Sequence, residues 1–167
     1  MKLGGLALPL IVIYLVANVG SVGGGWLSGA LIKRGWSVNA GRKTAMLAAA
    51  LLIVPTMFAP NAQTLWLVVA VVSVAAASHQ WWSANIFTTA SDMFPSAAVG
   101  SVVGMGAFAG AMGGVLFQRI TGRVLQATHN NYSLIFLVCG LAYVTALLIM
   151  HLLVPRLEPA DLAEDVA

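Results

Sequence analysis

The chain has 167 residues, of which 60% are apolar and only 8% are charged, and its mean hydropathy is +0.92. Soluble domains carry roughly 25% charged residues, so this composition excludes a water-soluble fold. It also excludes an intrinsically disordered chain, because such chains are polar and highly charged. The net charge of +3 comes from eight basic residues scattered between apolar runs, which form no continuous patch for nucleic acid. The single cysteine, Cys139, excludes a disulfide within the chain.

Charge-free segments dominate the sequence, at residues 3–32, 44–91, 93–118 and 124–155. About 20 apolar residues cross a bilayer as an α-helix, at about 1.5 Å per residue. The segment 44–91 is too long for one span, and turn-forming residues at 55–63 divide it. No strand-like alternation is present. We therefore predict an all-α membrane protein with one helical domain at 1–157, an acidic tail at 158–167, and five transmembrane helices at about 9–32, 44–59, 64–90, 98–117 and 133–154.

The basic residues are divided unequally between the two sides of these spans. One side carries Lys33, Arg34, Arg42, Lys43 and Arg156, and the other carries Lys2, Arg119 and Arg123. Cytoplasmic connections of membrane proteins are enriched in Lys and Arg. The chain is therefore expected to be a multi-pass integral membrane protein with the 33–43 loop and a solvated, mobile tail in the cytoplasm and the N-terminus outside.

Motifs of soluble enzymes are missing from the sequence. The glycines between Gly104 and Gly110 do not have dinucleotide-loop spacing, and no strand precedes them. The histidines, His79, His129 and His151, have no Cys or acidic partners at metal-ligand spacing. No paired carboxylates or nucleophile with a base are visible. We expect no enzymatic activity, no metal and no cofactor.

Glycines recur at a spacing of four in the first and fourth spans. The pairs are Gly20/Gly24 and Gly25/Gly29 in span one, and Gly100/Gly104, Gly106/Gly110 and Gly110/Gly114 in span four. This spacing lets two helix backbones approach closely. It favours tight packing within one bundle, or a fourth span that slides against a neighbour as alternating access requires.

Polar side chains follow one face in each of two spans. In span one the face consists of Tyr14, Asn18, Ser21, Gly25 and Ser28, and either hydrogen bonds between helices or substrate contact explains it. Span three is richer, with Ser78, Gln80, Trp81, Trp82 and Asn85 as a candidate wall for a polyhydroxylated ligand. His79 is a candidate for a packed, pore-lining or proton-carrying residue, and Asp92 could cap or pair at the end of the span.

Three segments carry a resemblance to a known family. They are the run from Gly24 to Ser37 with Arg42 and Lys43, the cluster from His79 to Asn85 with Asp92 to Pro95, and the run from Val99 to Gly104. Over nearly the whole chain they resemble the C-terminal half of major facilitator superfamily carriers, and within it the hexuronate and sugar-acid branch of the anion:cation symporters. The resemblance implies a partial major facilitator fold whose spans correspond to helices eight to twelve of a twelve-helix carrier.

The same resemblance assigns roles to individual residues. The cytoplasmic loop signature corresponds to Gly25, Gly29, Lys33, Arg34, Gly35, Arg42 and Lys43. Gly29 stands near the usual acidic residue of that signature, and Asn18 stands where this branch is expected to have an Asp. His79, Asp92 and Asn18 are the candidates for coupling or gating. A sugar acid is anionic, yet no Lys or Arg lies within a predicted span, so its counter-charge must come from the missing half.

Two functions remain open. The first is a fragment of a secondary active transporter, resembling a proton-coupled symporter of hexuronates or related sugar acids in a bacterial inner membrane, with the bilayer and a missing N-terminal half as partners. The alternative is a truncated helical membrane protein that does not transport and acts, if at all, by association with another chain.

Overall fold

The computed structural model describes residues 7–160 and contains five long helices in that range. They are α1 (Ala7–Lys33), α2 (Val38–Ile53), α3 (Leu65–Met93), α4 (Ser96–Ala127) and α5 (Ser133–Leu153), with a 3₁₀ helix at Val54–Asn61 continuing α2. All five spans, counting α2 with its 3₁₀ continuation, are long and apolar enough to cross a membrane. The prediction of an all-helical chain with five transmembrane helices is therefore confirmed.

The connection between α1 and α2 is shorter than the sequence pattern predicts. Gly35 has φ +92°, a left-handed conformation that glycine adopts without strain, and it ends α1. Ser37 then caps α2, since its hydroxyl accepts a hydrogen bond from the backbone N–H of Ala40. The predicted 33–43 loop is thus a tight turn at residues 34–37, and Arg42 and Lys43 lie on the first turns of α2.

Proline and capping residues set the next two boundaries. Pro55 lacks a backbone N–H, and the chain changes from α-helix to a 3₁₀ helix at Val54. Thr64 caps α3 through a bond from the N–H of Leu67, and Pro95 precedes α4. Both predicted breaks, at residues 55–63 and at Phe94-Pro95-Ser96, therefore occur.

Helix α4 runs farther than its predicted span of 98–117. It ends at Ala127, so Arg119 and Arg123 lie on its last turns rather than in a loop. His129 and Asn130, with φ values of 52° and 65°, then reverse the chain, because a left-handed pair cannot continue a helix. The N–H of Ser133 bonds to the side chain of Asn131 at the start of α5. Lys2, the third basic residue assigned to this side, lies outside the described residues.

Four of the five helices form a packed group. Met46, Ala49, Ala50 and Trp82 are buried at its centre, and Tyr143 packs against them from α5. On α1 the buried positions are Pro9, Ala17, Gly20, Gly24 and Ser28; Gly20 and Gly24 lie against α3, and Ser28 contacts Arg42 of α2. In contrast, no residue of α4 between Ser96 and Ala127 is buried, and this helix touches only α3 to any extent. The fold is a group of α1, α2, α3 and α5 with α4 at its side.

The segment after α5, residues 155–160, folds back over the helix ends, and we call it the C-terminal strap. The N–H of Leu157 bonds to Asn39 of α2, and the N–H of Ala160 bonds to the carbonyl of Met93 at the end of α3. Leu157 is buried. The predicted tail at 158–167 is therefore docked at its beginning rather than free, and its residues 161–167 lie outside the described range.

Orientation in the membrane leads to a labelling prediction. In a Cys139→Ala background, an impermeant thiol reagent added outside cells should label Asn61→Cys and fail to label Val38→Cys, because the basic end of the bundle is expected in the cytoplasm. Both positions are exposed in the structure. Permeabilised cells, in which both should react, are the control. The reverse pattern in intact cells would contradict the orientation.

Candidate functional site

An ion pair joins three helix ends at the basic end of the bundle. The Nε of Arg42 on α2 donates to Oδ2 of Asp92 on α3 at 2.8 Å, and its Nη1 donates to the Ser28 hydroxyl of α1, also at 2.8 Å. Ser28 is fully buried and its hydroxyl contacts the carbonyls of Gly24 and Gly25. The side chains of Arg42 and Asp92 keep 13% and 22% of their surface exposed. Water can therefore still reach this cluster.

The neighbouring Lys43 has a different role. Its Nζ donates to the carbonyls of Val154 and Pro155, at 2.6 and 2.8 Å, and lies 3.3 Å from Nδ1 of His151. The last carbonyls of a helix have no partner within the helix, and a cation there also offsets the helix dipole. Lys43 therefore ties the end of α5 to α2, beside the point where the C-terminal strap crosses.

The predicted substrate wall on α3 is largely a packing face. Ser78, Trp82 and Asn85 are buried, and they lie on the buried face of α3 with Thr89. Ser78 bonds to the carbonyl of Val74 in its own helix. Asn85 is fully buried, and its Nδ2 donates to the carbonyls of Gly24 and Trp81, both at 3.1 Å. Asn85 thus joins α3 to α1 and Trp82 joins it to α5, while Ser78 bonds within α3.

Two members of the predicted wall keep accessible surface. Gln80 and Trp81 are half-buried. The Trp81 ring lies directly over Gly24 of α1, where a Cβ would meet its ring atoms. The ring N–H of Trp81 and Oδ1 of Asn85 are both buried without a hydrogen-bond partner in the described residues. A donor and an acceptor without partners lie one turn apart on α3, which is a place where a polar ligand or a water molecule could be held.

His79 has a partner that the sequence pattern does not reveal. Its Nδ1 lies 2.5 Å from the hydroxyl of Tyr143 on α5. The Tyr143 ring in turn packs edge-on against Trp82, with centroids 5.1 Å apart. His79 itself remains exposed at the side of the bundle. His79, Tyr143 and Trp82 thus form a group of three rings at the middle of α3 and α5, and His79 is its titratable imidazole.

The other residues of the loop signature and of the span-one stripe are mostly uncovered. Lys33, Arg34 and Gly35 are exposed at the turn, and a Cβ added at Gly25 or Gly29 would meet nothing within 4 Å. Asn18 is exposed in a shallow surface cleft with Val22 and Trp26, and Tyr14 is 68% exposed. Of the predicted polar stripe of α1, only Ser28 is buried, and the buried side of this helix is otherwise formed by Pro9, Ala17, Gly20 and Gly24.

The span-four glycines contact no other helix of the described chain. A Cβ added at any of them would find nothing within 4 Å; they are Gly100, Gly104, Gly106, Gly110 and Gly114. A cavity of about 400 Å³ lies between α3 and α4, and Phe87, Val102, Gly106 and Gly110 are among its lining residues. The predicted close approach occurs at Gly20 and Gly24 of α1, while the predicted packing face of α4 is left open.

Sequence reasoning missed two partners. Tyr143 is the only phenol in the middle of α5, but nothing in its spacing connects it with His79. The sequence pattern predicts Ser28 on a polar stripe, and its bond to Arg42 depends on the turn at residues 34–37, which brings the start of α2 beside the end of α1.

Among known proteins, no family model matches the chain and no curated protein matches it significantly.

Proposed function

We propose that this chain forms part of a secondary active transporter of the major facilitator type, a proton-coupled symporter of hexuronates or related sugar acids. The observation that carries the proposal is the cluster of Arg42, Asp92 and Ser28. It lies in the segment whose residues resemble the cytoplasmic signature of these carriers, and it supplies a carboxylate from α3 where Gly29 of α1 has none.

The geometry of this cluster suits a carrier that opens alternately on two sides. Such a carrier needs contacts at one membrane face that hold one state and separate in the other. The Arg42–Asp92 pair joins the ends of α2 and α3, and its partial exposure keeps the cost of separating the two charges in water moderate. In this proposal the pair holds the cytoplasmic ends of α2 and α3 together in one of the two states, which gives Asp92 a gating role.

Substrate contact in the proposal comes from Gln80 and Trp81 and from the unpaired Oδ1 of Asn85, while Ser78 and Trp82 position α3. The middle of the described spans carries no Lys or Arg. The counter-charge for a carboxylate therefore belongs to further helices, which also cover the open face of α4. A bacterial inner membrane, where a proton gradient is available, is the proposed location.

Uptake of radiolabelled glucuronate tests this function. Vesicles containing only the 167-residue chain should not accumulate the label, because a carrier holds its substrate between two halves. When the chain is joined to the first seven helices of a sugar-acid symporter, uptake should appear. Trp81→Ala and Asn85→Ala should each weaken it by about 1–3 kcal/mol, since in this proposal each leaves a polar group of the bound sugar acid without its partner.

The matched control for Trp81→Ala is Trp26→Ala, which removes an equally large ring that is 70% exposed. This control should transport like the parent. Strong uptake by the chain alone contradicts the need for a second half, and full uptake by both α3 variants contradicts the substrate site.

The alternative function, association with another chain without transport, is favoured by one observation. Helix α4 exposes its whole glycine face in the described structure. If the chain pairs with itself there, Gly110→Cys in a Cys139→Ala background should form crosslinked dimers in membranes. Phe108→Cys is the control, because Phe108 is exposed and lies two residues before Gly110, on the opposite face of α4, and equal crosslinking at both positions would contradict pairing through the glycine face.

A further inference from the structure

A titratable pair lies at the middle of the bundle. His79 is fourteen residues from either end of α3, and Tyr143 is ten residues from either end of α5. At about 1.5 Å per residue, both positions are near the centre of the hydrocarbon layer. A polar side chain at that depth is costly unless it has a partner, and such residues line ion pathways and proton relays. The depth of this pair therefore points to a role beyond packing.

The hydrogen-bonding groups of the two rings are complementary in two protonation states. With a neutral imidazole, the Tyr143 O–H donates to Nδ1 of His79, which leaves the proton of the ring on Nε2. When His79 takes up a proton, Nδ1–H donates and the Tyr143 oxygen accepts. The hydroxyl rotates and the bond is kept, so one proton is gained without loss of a partner.

We propose that His79 and Tyr143 form a proton-binding site at the bilayer midplane, in which His79 carries the proton and Tyr143 is a positioning residue. The T-shaped contact of Tyr143 with Trp82 fixes the phenol ring, and Trp82 is itself in the buried core. His79 is exposed on its other side, so the described helices leave part of the imidazole uncovered.

The surroundings of the pair contain few competing groups. On α5 the nearest titratable side chain is Cys139, one turn before Tyr143, and His151 lies two turns after it. Arg42, Lys43 and Asp92 lie at the ends of α2 and α3, and α1 has no charged residue before Lys33 in the described range. On α4, Arg119 and Arg123 lie on the last turns.

Nuclear magnetic resonance of the chain in detergent tests the site directly. His129→Asn and His151→Gln leave His79 as the only histidine, and its ¹⁵N-labelled ring is followed from about pH 4 to about pH 9. We expect one reversible protonation, and a neutral form that favours Nε2–H several-fold more strongly than in the Tyr143→Phe variant. Tyr14→Phe, which removes an exposed hydroxyl from α1, should match the parent.

Two results would overturn the proton site: an imidazole that does not titrate in this range, or the same tautomer ratio with and without the Tyr143 hydroxyl. Tyr143→Phe keeps the ring against Trp82, and an unchanged melting curve shows that the variant is folded. If the melting curve of Tyr143→Phe is altered, the tautomer of neutral His79 in the parent chain decides instead. A neutral imidazole that carries its proton mainly on Nδ1 would then contradict the proposal.

The use of this proton in symport rests on the proposed function, and a second experiment separates the two. In the completed carrier, His79→Gln should abolish glucuronate accumulation driven by a pH gradient and retain exchange of labelled for unlabelled glucuronate. Equal gradient-driven accumulation by parent and variant rejects coupling through His79. A completed parent carrier that neither accumulates nor exchanges glucuronate rejects the proposed function, while the magnetic resonance result still decides whether the proton site exists.

Discussion

Alanine at Gly20 is expected to destabilise the bundle more than any other single methyl group added to a glycine of the described helices. A Cβ at this position would overlap the backbone of Ala77 on α3, which cannot move aside as a flexible side chain can. Gly24→Ala should also be costly, since its Cβ would meet the ring of Trp81 at 2.5 Å. Overpacking of this kind costs about 1–3 kcal/mol, and Gly20→Ala is expected at or above the top of that range.

Gly25→Ala and Gly29→Ala are the matched controls for these substitutions. They lie on the same helix, and the added methyl group meets nothing within 4 Å. Alanine favours a helix over glycine by about 1 kcal/mol, so the controls should be neutral or slightly stabilising. Thermal unfolding of the detergent-solubilised chain provides the comparison. Equal melting temperatures for Gly20→Ala and Gly25→Ala would contradict the close approach of α1 to α3.

Loss of the Arg42 guanidinium is the second large effect that we expect. Arg42→Met leaves the Asp92 carboxylate without its cation and removes a hydrogen bond from buried Ser28. Removing one partner of a buried ion pair costs about 3–5 kcal/mol, and the partial exposure of both side chains reduces this to about 1–3 kcal/mol. The Arg42→Met/Asp92→Asn double variant should recover part of the loss, because no unpaired charge remains.

Arg156→Met is the control for this pair. Arg156 lies 3.8 Å from Glu158, and the two side chains are 80% and 70% exposed, so its loss should leave the melting temperature nearly unchanged. A double-mutant cycle over Arg42 and Asp92 yields their coupling energy. A coupling near zero, or equal effects of Arg42→Met and Arg156→Met, would contradict a structural role for the cluster.

The number and kind of helices follow from the sequence, whereas their contacts do not. Charge-free runs and the breaks at Pro55 and Pro95 are local signals, and the structure contains the five helices that they predict. Helix ends are harder to predict: Arg42, Lys43, Arg119 and Arg123 look like loop residues because they are charged. In the structure they extend the helices, since long charged side chains are good helix formers and reach water from a helix end.

The site was predicted only in part, for a related reason. Periodicity identifies Ser78, Trp82 and Asn85 as one face of α3, and this face is indeed the buried one. Periodicity cannot show which helix covers that face. Asn85 is covered by α1, because Gly20 and Gly24 allow that helix to approach, and Trp82 is covered by α2 and α5, so a candidate substrate surface becomes an interface. The Tyr143 partner of His79 comes from another helix for the same reason.

Because α4 contacts mainly α3 and buries none of its residues, its two end links decide how far it can rotate. This helix of 32 residues is a rod about 48 Å long, linked to α3 by Phe94 and Pro95 and to α5 by residues 128–132. A rotation of about 10° about its Pro95 end would carry the far end through about 8 Å, about one and a half helical turns. The five-residue link to α5 spans up to about 17 Å when extended, so it can follow this swing without pulling α5. The lengths of the two links thus permit such a rotation of α4 about Pro95, next to the Asp92 end of α3.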